Sequence, residues 1–404
     1  MFRTPVSNRL HIGFFGKRNT GKSSLINAIT NQEIAIVSDI PGTTTDPVYK
    51  SMEILPIGPV VLIDTAGIDD EGVLGEERIK KTLKVLRKVD ISLIIVEPDT
   101  QINEYEEELI KLFNEKKIPY IFVLNKCEIK GNLAREYFNK KKIEYLEISA
   151  KEKIGIEKLK NEIIKIAPIA WSPLPLVADL INEKDIVILV CPIDSAMPQG
   201  RLILPQVQVL RDILDTNAIA YVVKETELQD CLNLLKTKPK LIITDSQVFE
   251  YVKKIIPEDY LLTSFSIVFA RHKGDLLTLI NGVFTIDKLN DGDEVLIAEA
   301  CTHHIQPEDI GRVKIPNWLN NYTGKKIKYT FVSGGDFPDD IGKYKLIIIC
   351  GGCMVNRKEI MFRIEKAKSN NIPITNYGVL IAYLNGILER AIKPFKFQIN
   401  NIMF

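Results

Sequence analysis

The stretch Gly16–Ser24 has the sequence Gly-Lys-Arg-Asn-Thr-Gly-Lys-Ser-Ser and lies between the apolar runs Ile12–Phe15 and Leu25–Ile29. It fits the pattern G-x-x-x-x-G-K-S, in which a strand, a glycine-rich loop and a helix together cradle phosphates. Glycines let the backbone approach the phosphates closely, and amides at the helix N-terminus point at the negative charge. Lys22 can reach the β- and γ-phosphates, and the Ser23 hydroxyl can bind Mg²⁺. The residues that we expect to line the nucleotide here are Asn19, Thr20, Gly21, Lys22, Ser23 and Ser24.

Length and composition predict an ordinary globular protein of more than one domain. The chain has 404 residues, of which 46% are hydrophobic and 26% are charged, and we expect two or three domains. Its 53 Lys and Arg residues balance 52 Asp and Glu residues, so charge gives no indication of nucleic-acid binding. The N-terminus lacks the apolar segment of a signal peptide, and no apolar run approaches the roughly 20 residues that span a bilayer. We therefore expect a cytoplasmic protein that binds neither nucleic acid nor a membrane.

Two further segments carry polar groups suited to a phosphate site. Pro41–Asp46 is polar and lacks the periodicity of a helix or strand, whereas Val60–Gly67 is a buried-strand pattern that ends in Asp-Thr-Ala-Gly. At the end of such a strand Asp64 can hold Mg²⁺ through water. The amide of Gly67 can bond a γ-phosphate.

Together with Ile121–Glu128 and Ile148–Lys151, these segments resemble the signature elements of small GTP-binding domains, over roughly residues 8–168. By this resemblance Thr44 is the switch threonine that binds Mg²⁺ when the γ-phosphate is present. The resemblance also implies that the guanine base is bound by Asn125, Lys126, Glu128, Ser149, Ala150 and Lys151. The family pattern has Asp where this chain has Glu128. A carboxylate there can still accept from guanine, so we expect GTP and GDP as ligands.

Asn19 and the Pro-Gly-Thr-Thr-x-Asp segment are similar to those of the TrmE-like and Era-like GTPases. That similarity implies a K⁺ ion, held partly by the loop asparagine, that supplies the charge an arginine finger gives elsewhere. A loop-capping role is the alternative for Asn19. Ile68 stands where Ras-like proteins place a water-orienting Gln. Because an apolar side chain cannot orient water, we expect slow hydrolysis and assign no catalytic residue.

The middle of the chain alternates strand and helix patterns. Strands are predicted at Ile186–Val190, Ala218–Val223 and Lys240–Asp245. With a helix predicted at Pro205–Leu214, this alternation favours a small parallel sheet. Cys191 and Cys231 are isolated in apolar contexts, which is typical of core cysteines. No acid–base constellation is evident, and we interpret the region as a structural or dimerisation domain.

Three cysteines lie in the last third of the chain. Glu294–Cys301 predicts a strand that ends in Cys-Thr-His-His, and Tyr344–Ile349 predicts a buried strand followed by Cys350-Gly-Gly-Cys353. Ligands of open α/β sheets bind beyond the carboxyl ends of strands, where both groups are placed. The ligand types fit a four-iron four-sulfur cluster, a zinc site completed by a histidine, or a redox Cys-x-x-Cys pair.

The combination of a TrmE-like GTPase, a middle α/β unit and Cys-x-His…Cys-x-x-Cys resembles the HydF family, the maturation GTPases of FeFe-hydrogenases. The resemblance runs the length of the chain and implies a 4Fe–4S cluster bound by Cys301, Cys350 and Cys353. The family pattern has a second histidine directly before Cys-x-x-Cys, where this chain has Ile349.

The fourth cluster ligand must therefore come from elsewhere or be solvent. We favour Glu299, because it lies two residues before Cys301 and would share its face on a strand. Water, His303 and His304 are the other candidates. A solvated strand-end charge is the alternative interpretation of Glu299.

The resemblance implies a GTPase that is also an iron–sulfur scaffold or carrier. It would receive a di-iron precursor from two radical-SAM maturases and deliver it to apo FeFe-hydrogenase, and GTP turnover would govern partner release. The rival hypothesis is a ribosome- or tRNA-associated GTPase with a zinc-stabilised C-terminal domain. We predict an α/β homodimer of three-domain chains: a TrmE/Era-like GTP-binding domain at 1–168, a parallel α/β dimerisation domain at 176–262 and an α/β iron–sulfur cluster-binding domain at 263–404.

Overall fold

The computed structural model describes residues 6–30, 48–65, 82–167, 175–193, 202–300, 309–334 and 336–398. The chain divides into two compact units, Met1–Ser172 and Pro173–Phe404. Their sheets are mainly parallel, so the predicted α/β class is confirmed. The predicted three-way division of the chain stays a prediction.

The first unit is built on a six-stranded sheet. Its strands are β1 Leu10–Phe15, β2 Val48–Ile54, β3 Gly58–Asp64, β4 Ile91–Val96, β5 Tyr120–Leu124 and β6 Tyr145–Glu147. Its helices include α1 Lys22–Thr30, α2 Glu104–Glu115, α3 Leu133–Lys141 and α4 Ile156–Ile166. The strand order is β2-β3-β1-β4-β5-β6, in which β2 pairs antiparallel and the other neighbours pair parallel.

Helices cover both faces of this sheet, which explains why its central strands are apolar along their whole length. Every residue of β1 is buried. Ile12 and Phe14 point into one hydrophobic cluster and Phe15 into the other, as the alternation of a strand requires. The carboxyl end of β1 is therefore held rigidly, and the phosphate loop starts there.

The second unit contains two four-stranded parallel sheets. Their strands are β7 Ile186–Val190, β8 Ile219–Val223, β9 Leu241–Thr244, β10 Leu262–Ser264, β11 Glu294–Ala298, β12 Lys328–Val332, β13 Leu346–Ile349 and β14 Ile374–Asn376. The helices are α5 Leu204–Asp215, α6 Leu228–Leu234, α7 Phe249–Ile255, α8 Phe265–Lys273, α9 Leu276–Val283, α10 Ile315–Thr323, α11 Arg357–Ser369, α12 Tyr377–Leu384 and α13 Leu388–Ile392. One hydrophobic core runs through both sheets, from Leu176 to Phe395.

The two sheets of this unit repeat one topology. Their orders are β10-β9-β7-β8 and β12-β11-β13-β14, so in each sheet the first strand lies between the second and the third. The connections leave the first and third strands in opposite directions, which opens a crevice beyond their carboxyl ends. In the second sheet that crevice lies after β11 and β13, where the sequence places Glu299 and Cys350.

Two equivalent helices pack against each other between these sheets. Helices α8 and α12 each follow the last strand of a sheet directly, and their N-termini are capped by Ser264 and Asn376. A Cβ on Gly378 would stand 2.4 Å from the Cβ of Ser266, so the two helices meet where only glycine fits. This contact fixes the position of α8 against α12, and α8 ends at Lys273.

Within the described ranges, no helix has both the length and the apolar composition that a bilayer crossing requires.

Candidate functional site

The phosphate loop joins β1 to α1 as predicted, and its glycines are required by its shape. Gly16 has φ +146° and Gly21 has φ +86°, conformations that favour glycine. A Cβ at Gly16 would lie 2.2 Å from Ile95 O. The buried Lys22 donates through Nζ to the carbonyls of Gly16 and, at 2.9 Å, of Lys17. Its ammonium group is thus held inside the loop, within reach of phosphate oxygens.

Ser23 and Asp64, the two predicted Mg²⁺ ligands that the structure describes, are in contact. Ser23 Oγ donates to Asp64 Oδ2 at 2.5 Å. Asp64 is the last residue of β3 and is buried. A hydroxyl and a carboxylate side by side offer the hard oxygen ligands that Mg²⁺ prefers. Thr44 and Gly67, predicted for the same site, lie outside the described residues, as does Ile68.

Asn125 connects the predicted guanine-binding loops to the phosphate loop by hydrogen bonds. Its Nδ2 donates to Thr20 O at 2.9 Å, and its Oδ1 accepts from the Ala150 amide at 3.0 Å. A Cβ on Gly21 would stand 2.3 Å from the same Nδ2. The loops can therefore meet only because residue 21 is glycine. Lys126 adds a second link, since its Nζ donates to Asn19 O at 2.7 Å.

Glu128, which stands where the family pattern has Asp, is hydrogen-bonded to Ser149 in the last of the predicted guanine-binding segments. A hydrogen bond from Ser149 holds the pKa of the Glu128 carboxyl below its usual range. The group is therefore ionised near neutral pH and able to accept from guanine N–H groups. Ser149 is fully buried, whereas Lys151 extends into solvent beside Glu152.

The second candidate site lies in the crevice beyond β11 and β13. Strand β11 was expected to continue to Cys301 but ends at Ala298; Cys301, His303 and His304 lie outside the described residues. Cys350 follows β13 directly, and its Sγ accepts from the Ala300 amide at 3.0 Å. The Gly352 amide also bonds this sulfur. Desolvation raises the pKa of the Cys350 thiol, and these two N–H donors oppose that effect.

Glu299 is buried rather than solvated, which rules out the interpretation of a solvated strand-end charge. Its side chain is 4% exposed. Arg312 Nε donates to Glu299 Oε2 at 3.2 Å, and Ser333 Oγ donates to the same oxygen at 3.3 Å. Gly311 lies so close that a Cβ there would be 2.7 Å from Glu299 Oε1. The carboxylate is thus fixed at the mouth of the crevice.

Three cations packed near the cysteines were not predicted from the sequence. Arg312 holds Glu299, and Arg363 donates to Gly334 O at 2.5 Å while pairing with Glu359. Lys273 donates to the main chain of the Cys350–Cys353 turn. These residues come from α8, α11 and the segment before α10, so no local motif could have indicated them.

The donor chemistry of the crevice fits a thiolate-bound metal centre. Cys350 and Cys353 lie on one turn, and N–H groups bond the sulfur of Cys350, as is usual around iron–sulfur thiolates. Within the part of the chain that is described, no cluster of three or more His, Cys, Asp or Glu side chains is placed to hold a metal. The third predicted cysteine, Cys301, is outside that part.

Comparison with curated proteins finds relatives that match part of the chain. The chain is 34% identical over 151 residues to the tRNA modification GTPase MnmE of Coxiella burnetii (strain RSA 493 / Nine Mile phase I), covering 37% of this chain and 33% of that protein. It is 35% identical over 170 residues to the GTPase Der of Wolinella succinogenes, covering 39% and 36%. The chain thus spans about a third of the length of these relatives.

Among solved structures, similarity is found to a variant of Aquifex aeolicus Era bound to GDP.AlF4- and to the G domain of the T. maritima FeoB iron transporter. The Era match has 21% identity, covers 61% of this chain and 97% of that chain, and has a TM-score of 0.34. The FeoB match has 20% identity, covers 40% and 99%, and has a TM-score of 0.30.

Three family profiles match successive parts of the chain. Residues 11–126 match a profile described as 50S ribosome-binding GTPase. Residues 176–274 match the hydrogen maturase F dimerization domain, and residues 277–394 match the hydrogen maturase F tetramerization domain. The two maturase profiles together match more than half of the sequence and include the crevice with its cysteine turn. With its P-loop GTPase domain, the chain therefore belongs to the hydrogen maturase F (HydF) family.

Proposed function

We propose that this chain is a GTP hydrolase whose second unit binds a 4Fe–4S cluster and serves as scaffold and carrier for the di-iron precursor of FeFe-hydrogenase. It would work in the cytoplasm, receive the precursor from radical-SAM maturases and deliver it to the apo-hydrogenase. The observation that supports this best is the Cys350–Cys353 turn in the crevice of a sheet matched by a maturase profile.

Cys301, Cys350 and Cys353 would hold the cluster, with Glu299 as the fourth ligand. Three cysteines leave one iron with a ligand that can exchange. When bound, the cluster supplies an iron whose exchangeable ligand is Glu299, next to which a precursor can be anchored. Glu299 suits the role because its carboxylate is fixed beside the crevice by Arg312 and Ser333.

Metal analysis of anaerobically purified, full-length protein tests the proposal. We expect brown protein with about four iron atoms per chain and absorption near 400 nm from sulfur-to-iron charge transfer, on the order usual for such clusters. Glu299→Gln should keep the iron but alter the electron paramagnetic resonance (EPR) spectrum of the reduced cluster. Colourless protein with one zinc per chain would instead favour the ribosome- or tRNA-associated GTPase.

GTP hydrolysis should be faster in KCl than in NaCl at equal ionic strength. We propose that the Asn19 side chain contributes to a K⁺ site at the phosphates. The backbone of Asn19 adopts a left-handed conformation in the loop, with φ +66°. Asn19→Gly is the suitable test variant, because glycine keeps that backbone conformation and the main-chain contact to Lys126 while removing the side-chain oxygen. The variant should lose the difference between the two salts. Equal wild-type rates in KCl and NaCl would contradict the proposal.

We further propose that β8 joins two copies of the chain. It is the edge strand of its sheet, and Ile219, Tyr221 and Val222 are 46%, 40% and 41% exposed. An apolar edge strand is a template for pairing with another chain, and the dimerization profile covers it. Val222→Asp should therefore lower the mass measured by light scattering. Tyr251→Asp, on α7 and away from β8, is the control; equal masses for both variants and wild type would refute this interface.

A further inference from the structure

Lys273, the last residue of α8, is buried where three main-chain carbonyls converge. Its Nζ donates to Gly352 O at 3.0 Å, Cys353 O at 3.3 Å and Val355 O at 2.9 Å. The residue is only 2% exposed, so bulk water cannot take the place of these bonds. An ammonium group has three N–H donors and no acceptor. Lys273 can therefore donate to all three carbonyls.

These carbonyls belong to the Cys350–Cys353 turn and the two residues after it. Carbonyl oxygens carry partial negative charge, so three that point at one place repel one another unless a cation lies between them. Without Lys273 the carbonyls of Cys353 and Val355 would also lose a donor, which is unfavourable, whereas Gly352 O would keep the Val355 amide. The conformation of the turn thus depends on a side chain that lies 79 residues before Gly352 in the sequence.

The turn is held from two further directions. Arg357, the first residue of α11, donates through Nη1 to His272 O at 3.0 Å and Gly274 O at 3.2 Å. Gly352 adopts φ +63°, and a Cβ there would stand 2.6 Å from Ile360 Cδ1. The end of α8, the turn and the start of α11 therefore form one bonded unit.

We propose that Lys273 is the positioning residue of the Cys350–Cys353 turn: it sets the backbone that presents both sulfurs and places a positive charge beside the cluster they hold. The part that concerns the cluster rests on the function proposed above. A cation close to a cluster stabilises its reduced, more negative state. Removing this charge should therefore lower the reduction potential of the cluster.

The experiment compares full-length wild type with Lys273→Met and Lys273→Gln after anaerobic cluster reconstitution. Methionine removes both the bonds and the charge, so iron loss to EDTA should be about tenfold faster, as is usual when a residue supporting metal ligands is lost. Glutamine keeps an N–H donor pair without the charge. Both variants should show a lower midpoint in an EPR-monitored redox titration, a result that loss of packing alone does not require.

Lys366→Met is the matched control, since Lys366 also donates to a main-chain carbonyl, Pro338 O at 2.7 Å, but away from the cysteine turn. Its midpoint should equal that of wild type. Midpoints unchanged in both Lys273 variants would overturn the charge effect, and the glutamine variant decides this if the methionine variant does not fold.

Hydrogen–deuterium exchange of the metal-free proteins tests the positioning role of Lys273 without iron. Amides of residues 350–356 should exchange faster in Lys273→Gln than in wild type, while amides of the second unit outside the end of α8, this turn and the start of α11 should stay unchanged. Unchanged exchange in this segment would overturn the positioning role. Wild type that binds no iron would instead refute the cluster proposal, and the exchange result would still decide the role of Lys273.

Discussion

Replacement of Lys22 by alanine should reduce GTP hydrolysis by at least about a hundredfold. The Lys22 ammonium lies inside the phosphate loop, bonded to the carbonyls of Gly16 and Lys17, and can transfer its donors to phosphate oxygens. Hydrogen bonds to charged groups contribute about 1.5–3 kcal/mol each. Losing two such bonds should slow hydrolysis about a hundredfold or more, since about 1.4 kcal/mol corresponds to a factor of ten in rate. Single-turnover hydrolysis with saturating GTP and Mg²⁺ measures the loss.

Lys17→Ala provides the control within the same loop. The Lys17 side chain pairs with Glu106 at 3.2 Å, and its contribution to holding Lys22 is a main-chain carbonyl, which alanine retains. We therefore expect Lys17→Ala to hydrolyse GTP within about threefold of wild type, because the variant keeps the carbonyl that holds Lys22 and each factor of ten in rate would require about 1.4 kcal/mol of lost stabilisation. If Lys22→Ala also hydrolyses GTP within about threefold of the wild-type rate, the loop does not bind phosphate through Lys22.

The loops that we expect to bind the nucleotide could be located from the sequence because each is a local motif. The phosphate loop, the end of β3 and the loop after β5 each combine an apolar strand with polar residues at its tip. Parallel strands then bring those tips to one edge, which is why Asn125 meets Thr20 across 105 residues. What the sequence did not reveal is the close packing of Gly21 against Asn125, since it depends on how two loops approach each other.

Much of the second unit was harder to predict. Strands β10 and β14 have three residues each, too few for a pattern of alternation to be recognised. Strand β12 is only partly buried and polar at its start. The longer apolar strands were predicted, and β7 has the predicted bounds Ile186–Val190. The repeated topology of the two sheets could not be inferred while these short strands were missing.

The strands that line the cysteine crevice could be predicted from the sequence, but the residues that surround it could not. The sequence predicts a strand before each group of cysteines, and the two strands, β11 and β13, prove to be neighbours in the sheet. The residues that fix the crevice are Arg312, Lys273 and Arg363, which in sequence resemble ordinary surface cations. Their placement follows from the packing of α8 and α11 around the turn, a property of the tertiary structure alone.

Replacement of Cys350 by serine should remove most of the iron from anaerobically reconstituted protein. Cys350 is the cysteine at the centre of the crevice: it follows β13, its amide donates to Ala298 O at 3.3 Å, and its sulfur accepts from Ala300 N. A serine hydroxyl is a poor ligand where clusters take thiolates. We expect iron to fall from about four atoms per chain to less than about one, measured by colorimetric assay and EPR.

Cys231→Ser is the matched control for this loss. Cys231 is a buried thiol in α6 of the same unit, packed in the hydrophobic core. It lies in α6, outside the cysteine crevice, and burial raises the pKa of its thiol. Its serine variant should be less stable but retain full iron content, because only core packing is altered. A Cys350→Ser protein that keeps as much iron as Cys231→Ser would show that the cluster, if bound, does not depend on this crevice.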